Sequence, residues 1–285
     1  MGMTLDQEGS LFWRAARWVI EGDLAALDEL LSQDSELARM RSPDSFRATL
    51  LHFVAANGVR DDYQRCPPNA PQIARRLLDA GADPDAVAAS GGGGPNQTPL
   101  CLLVTSWPPF EAGLQEELVH LLVEGGAAVD GSMGNGAPLA SALTFGYTGA
   151  AEALVAAGAS CDCAFFAAGL GDLVRLRGLL ELGVARALGS YAPVIDVPRA
   201  SDMAAVVQEA FHFAVTHGRI EVMDWLLGQG ASVDGATKGH HCELPTLQAL
   251  FVRERQAFNW LVRRGADLDL RDGKRGQSAR EALEA

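Results

Sequence analysis

Aromatic residues make up only 7% of this 285-residue chain. So few rings speak against a β-sandwich, and the abundance of Ala, Leu and Gly points to packed helices joined by tight turns. No window holds about 18 uninterrupted apolar residues, which excludes a membrane-spanning helix. The opening MGMTLDQEGSLFW lacks a basic region followed by an apolar one, so no secretory leader is expected. The five cysteines, 66, 101, 161, 163 and 242, are odd in number and form no disulfide framework. A reduced cytoplasmic setting is the expectation. Positive charge is also scarce: 23 Lys and Arg stand against 36 Asp and Glu, a formal net charge of −13. Such a chain repels nucleic acid and anionic membranes and suits a basic protein partner.

Catalytic signatures are missing too. There is no G-x-S-x-G and no H-E-x-x-H. The glycine run SGGGGPNQTP, residues 90–99, fits neither phosphate-binding spacing and has no following Lys. The KGHHCE run, residues 238–243, offers His240, His241 and Cys242 as soft ligand types. Adjacent residues of an extended loop point in opposite directions, so a full metal site would need further ligands. No cofactor, no metal and no catalytic residue is assigned.

What the chain does contain is a repeat. One phrase recurs as LLDAGAD (77–83), LLVEGGA (121–127), LVAAGAS (154–160), LLELGVA (179–185), LLGQGAS (226–232) and LVRRGAD (261–267). A second phrase precedes it, as in TLLHFVAANG (49–58), TPLCLLVTSW (98–107), APLASALTFG (137–146) and EAFHFAVTHG (209–218). Gly146 and Gly158, Gly171 and Gly183, and Gly218 and Gly230 are each separated by twelve residues. A constant internal distance marks a repeated supersecondary unit.

These phrases resemble the ankyrin repeat, with T-P-L-H-x-A early and L-L-x-x-G-A-D about twenty residues later. The likeness runs from about residue 11 to 272 and is of the degenerate, insert-bearing bacterial type. It implies an all-α solenoid of about seven helix-turn-helix repeats spanning 1–285 as one body, with a bend or sub-lobe boundary near 184–208. Residues 12–34 read as a degenerate first repeat. Residues 244–269 read as the last, with its first helix out of register by about one residue.

The resemblance gives Thr49 a capping role and His52 a bridging role between loop backbone and a neighbouring threonine, with His212 in the same slot. Cys101 and Ala140 fill that slot elsewhere, so the imidazole is not needed for chemistry. Asp83, Asp85, Asp130, Asp234, Asp267 and Asp269 follow repeat-final glycines and read as loop acids that cap amides.

Departures from the repeat mark where function is written. Two proline-bearing inserts, 59–71 and 107–117, carry Tyr63, Trp107 and Phe110. A shortened link at 158–173 adjoins a long insert at 184–208. The resemblance also maps the groove-lining pairs to Ala56 and Asn57, Thr105 and Ser106, Thr144 and Phe145, Gly169 and Leu170, and Thr216 and His217. The expected function is a non-enzymatic, monomeric protein-interaction module. Its basic partner would meet the concave face and loops through Asn57, Tyr63, Trp107, Phe110, Phe145, Tyr147 and His217. An immunity or antitoxin-like protein is one variant. The alternative is a small-molecule receptor or enzyme with a pocket near 184–208, walled by Trp107, Phe145, Tyr147, Tyr191 and His217. The polar ending RDGKRGQSAREALEA reads as a cap that stops end-to-end stacking.

Overall fold

A computed structural model of the chain describes residues 10–89, 97–189, 201–238 and 240–285. Among these residues the regular elements are helices, with isolated β-bridges joining Ala88 to Gln97 and Arg271 to Ser278. The tip of the 90–99 loop and residues 190–200, including Tyr191, lie outside the described residues. Two compact units are present: Met1–Gly134 with Ala156–Ala159, and Asn135–Val155 with Ser160–Ala285.

The first unit holds three helical pairs. They are α1 (Leu11–Glu21) with α2 (Leu24–Gln33), α3 (Leu50–Ala55) with α4 (Ala70–Asp79), and α5 (Pro99–Leu103) with α7 (Gln115–Glu124). A short helix, α6 (Trp107–Glu111), is inserted in the third pair. Ser10 and Asp23 cap α1 and α2 by accepting the Trp13 and Ala26 amides. The core is an aromatic cluster in which Trp13 lies 5.4 Å from Tyr63 and 6.0 Å from Phe53, and Phe53 lies 5.5 Å from Tyr63. Arg60 covers it, 5.7 Å from Trp13 and 5.5 Å from Tyr63.

The second unit holds four pairs and a cap. They are α8 (Ala137–Phe145) with α9 (Thr148–Ala156), and α10 (Ala164–Leu170) with α11 (Leu173–Glu181) and the short α12 (Val184–Leu188). Then come α13 (Met203–Thr216) with α14 (Ile220–Gly228), α15 (Pro245–Phe251) with α16 (Arg255–Arg263), and α17 (Ala279–Glu284). Phe165 of α10 stacks on Phe213 of α13 at 5.9 Å. The turn between α13 and α14 requires positive φ at Gly218, 64°, and the end of α14 requires it at Gly230, 100°. Both are conformations that glycine adopts without a Cβ clash.

Polar side chains stitch successive repeats. The Thr49 amide donates to His52 Nδ1 at 3.0 Å, so the proton sits on Nε2 and points to the Gln97 carbonyl at 3.2 Å. His52 therefore ties its repeat to the next, as the resemblance implies. The loop acids reach further than expected. Asp85 accepts the Ala128 amide at 3.0 Å and Asp234 accepts the Asp267 amide at 3.0 Å, each linking one loop to the following one. At the C-terminal end, buried Asp272 accepts four amides, those of Glu243 (2.5 Å), Leu244 (2.9 Å), Lys274 (3.0 Å) and Arg275 (2.8 Å). Ser278 and Glu281 form a capping box that starts α17.

His212 departs from the expected role. The helix α13 begins at Met203, so residue 209, where Thr49 stands in the second repeat, is mid-helix and is a glutamate. No helix-start amide is there for the imidazole to accept. Instead His212 is fully buried and stacks on His240 with centroids 4.2 Å apart. His240 Nε2 lies 3.2 Å from Glu209 Oε1, close but misaligned for a hydrogen bond. Among the described residues, both nitrogens of His212 and both of His240 are buried without a hydrogen-bond partner. Burial holds His212 well below the usual imidazole range and pulls His240 down to about 3, while it pushes Glu209 up.

Two outcomes follow. Asp272→Ala strands four amides, at a cost of roughly 2–4 kcal/mol, so the denaturant midpoint should fall while α1–α7 keep their exchange protection. Acid should act unevenly. Burial lowers His52 to about 4 and His217 to about 3 as well, so these two, His212 and His240 stay neutral in the fold. Below pH 6.5 the unfolded chain takes up protons that the folded chain refuses, and each such group removes about 1.4 kcal/mol per pH unit. Glu209 and Glu254, both raised by burial, oppose this with one proton each. Burial lowers His241 to about 4 as well, so four of these five histidines lie in the second unit. On acidification from pH 7 to 4, hydrogen exchange corrected for intrinsic rates should release residues 203–217 at a higher pH than residues 50–55. Simultaneous release of both, or none, would refute the uneven burial cost.

Candidate functional site

The residues mapped to the groove fall into two sets. In the first unit Asn57 is half-buried and donates to Thr105 Oγ1 at 2.8 Å. Ser106 is buried and its hydroxyl donates to the Ala56 carbonyl at 3.1 Å. This inner face is thus held by bonds between the second and third repeats. Tyr63 is buried in the aromatic core, so the insert at 59–71 folds inward and its tyrosine serves packing. Asn69 of the same insert donates to the Gly22 carbonyl at 2.8 Å.

In the second unit the end of α8 reaches across to later repeats. His217 is 5% exposed. Its Nε2 lies 2.8 Å from the Leu143 carbonyl, and its Nδ1 2.7 Å from the Thr148 hydroxyl. Nε2 must carry the proton, since a carbonyl only accepts, and Nδ1 then accepts from Thr148. Both nitrogens are spent on the fold. Tyr147 is buried, which pushes its phenol up to about 12. Phe145 is half-buried, stacked near Tyr147 at 6.2 Å and edge-on to His241 at 4.8 Å. The three sequence candidates Phe145, Tyr147 and His217 are therefore close together, but they are packed against the chain itself.

Trp107 and Phe110 behave differently. They are 46% and 44% exposed, with ring centroids 5.5 Å apart on one face of α6. The helix beneath them is fixed. Pro109 is buried, and the buried Gln115 side chain donates to the carbonyls of Leu103 (2.9 Å) and Ser106 (3.3 Å). Exposed acids Glu111, Glu116 and Glu117 lie on α6 and the start of α7. The stretch 77–174 contains no Lys or Arg and eleven Asp and Glu. That gap was open to sequence reading and is a sharper signal than the net charge. Arginines from outside the stretch reach into it: Arg75 lies 3.5 Å from Glu124 and Arg219 2.7 Å from Glu152, and Arg39 and Arg41 donate to the Gly81 and Val87 carbonyls.

The KGHHCE run spreads its side chains. His240 is buried against His212, and His241 packs between Phe145 and Phe251. Cys242 is buried, its amide donating to Gln248 Oε1 at 3.0 Å. Among the described residues no three His, Cys, Asp or Glu side chains are grouped to hold a metal ion. No described helix is long and apolar enough to cross a membrane. Part of the 184–208 segment invoked for a pocket, residues 190–200, lies outside the described residues.

Comparison with known proteins bears on the repeats. A family model described as "Ankyrin repeat" matches residues 208–235, the second half of α13 through α14 and the turn beyond. No curated protein matches the sequence. A solved structure, the human ASB11 ankyrin repeat domain, aligns over 93% of this chain and 89% of that one, with 21% identity and a TM-score of 0.45. Residues 208–235 thus match an ankyrin repeat, and the same helix-turn-helix unit with its paired glycine turns recurs along the described residues.

Proposed function

We propose that this protein is a non-enzymatic interaction module that holds a basic protein partner on the Trp107–Phe110 face of its third repeat. Ankyrin repeats are in general protein-interaction modules, working through surfaces that the stacked units hold rigid. The observation that carries the reading here is the exposed aromatic pair on α6. Two large rings kept in water, on a helix pinned from beneath, have the character of binding hot spots. Ordering costs little on such a support, because the backbone is fixed before the partner arrives.

Charge supports the basic character of the partner. Glu111, Glu116 and Glu117 adjoin the rings, and the surrounding 98 residues carry no Lys or Arg. Lys or Arg side chains of a partner gain cation–π contact with Trp107 and charge attraction from the acids. Tyr147 and His217 are buried and Phe145 is half-buried, whereas Trp107 and Phe110 are exposed, which favours the insert edge over those groove positions as the working surface.

Immobilised protein should retain basic proteins from native lysate at about 50 mM salt and release most of them by about 300 mM, since exposed charges are screened. Trp107→Ala with Phe110→Ala should cut retention at least about tenfold, the scale of two hot-spot truncations. His217→Ala should lower thermal stability instead, with retention per folded molecule unchanged. An unaltered bound set with the double variant would sink the proposed face.

A further inference from the structure

The chain contains two Asn-Gly pairs, Asn57-Gly58 and Asn135-Gly136. Asparagine is thermolabile, and most so before glycine, which leaves the following backbone nitrogen uncrowded. That nitrogen, once it has given up its proton, attacks the asparagine Cγ, and a cyclic imide closes as ammonia departs. Both asparagines are half-buried and both glycines buried, so exposure does not separate the pairs. Their hydrogen bonds do.

Asn57 is held against the reaction. Its leaving nitrogen, Nδ2, donates to Thr105 Oγ1 at 2.8 Å and to the Leu102 carbonyl at 3.5 Å. Its Oδ1 accepts the Gly58 amide at 2.8 Å. The nitrogen that would attack is therefore engaged as a donor, and the proton it must lose is the one in that bond. Ala56 and Val59, on either side of the pair, are buried as well.

Asn135 is arranged the other way. Its Oδ1 accepts the Ala137 amide at 3.2 Å, one residue beyond the attacking nitrogen. That donor polarises the side-chain carbonyl and stays in place to hold the negative charge that gathers on Oδ1 as the ring closes. Among the described residues, Asn135 Nδ2 and the Gly136 amide make no hydrogen bond. Ser132, Met133 and Gly134, just before the pair, are exposed. Gly134 and Gly136 take φ of 61° and 73°, and a Cβ at Gly134 would meet nothing within 4 Å. With glycine on both sides, the Asn135 backbone can turn to bring the Gly136 nitrogen onto Cγ.

We propose that Asn135 is a site of spontaneous deamidation in the folded protein, and that the fold protects Asn57. The bond from Gly136 N to Cγ forms and the bond from Cγ to Nδ2 breaks. Nδ2 leaves as ammonia, taking up a proton in place of the one that the Gly136 amide gave to water. Water then opens the imide at either carbonyl, leaving aspartate or isoaspartate at 135. Aspartate keeps the acceptor for the Ala137 amide and adds charge beside the start of α8. Isoaspartate routes the backbone through Cβ and Cγ and lengthens the chain by a methylene where α8 begins. Either product adds negative charge to the 77–174 stretch, which contains no Lys or Arg.

The test is incubation of the full-length chain at mildly alkaline pH in heavy-oxygen water, then digestion in ordinary water. Peptides are read by mass spectrometry with electron-transfer fragmentation, which separates isoaspartate from aspartate. The heavy label marks conversion that took place before digestion. Residue 135 is expected to convert at least about tenfold faster than residue 57, because closure at Asn57 must first break a bond of the fold. In denaturant the two rates should converge. Thr105→Ala should speed Asn57 several-fold and leave Asn135 unchanged. The proposal is overturned if Asn135 stays intact in the folded chain, if the two sites convert there at equal rates, or if Thr105→Ala leaves Asn57 as slow as in the wild type.

Discussion

Each repeat ends in loops whose amides and carbonyls have no helical partner, and the stack closes because side chains of the neighbouring repeat reach them. The hydrophobic surfaces of α3, α5 or α10 supply the drive to associate, but apolar contact alone is tolerant of sliding. Register comes from directional bonds: His52 to the Gln97 carbonyl, Asn57 to Thr105, Asp85 to the Ala128 amide, Asp272 to the final turn. Each of these groups is costly to leave unpaired once water is excluded. The aromatic core, the pinned α6 and the arrangement at the last repeat all presuppose that register.

The repeat units were legible in the sequence because the fold is local: two glycines at a fixed distance, a leucine pair, a threonine before a helix. Thr49 and His52 were readable for the same reason, since they partner each other three residues apart and His52 reaches Gln97 just before the next repeat's first helix. His212 was not. Its neighbour at position 209 is a glutamate within an extended helix, and the ring it stacks on, His240, comes from a loop whose path no local pattern announces.

Among the candidate site residues, sequence reading placed exposure where the repeat places it and could not see the chain folding over its own groove. Trp107 and Phe110 stayed outside because buried Pro109 and Gln115 turn α6 so that the rings face water. Tyr63, from an insert of similar composition, went inside because Trp13 and Phe53 offered it a cluster to join. Two proline-bearing inserts thus took opposite fates, decided by what lay beneath them. The positive φ at Arg253, where Gly218 stands in the preceding repeat, was not foreseen because the last repeat's first helix reads out of register by about one residue.

Repeat proteins ordinarily behave as chains of nearest-neighbour couplings, so that an end repeat can fray while its neighbours stand. The bond from His217 to the Leu143 carbonyl breaks that pattern, because it joins the fourth pair to the sixth and passes over the fifth. Phe145 does the same with His241, one loop further on. Such next-nearest coupling turns a one-dimensional array into a closed loop of interactions. The fifth pair then cannot open without straining both of its neighbours' mutual contact. The second unit is expected to melt as a single cooperative block, and its repeats are not interchangeable modules that insertion or deletion can count up or down.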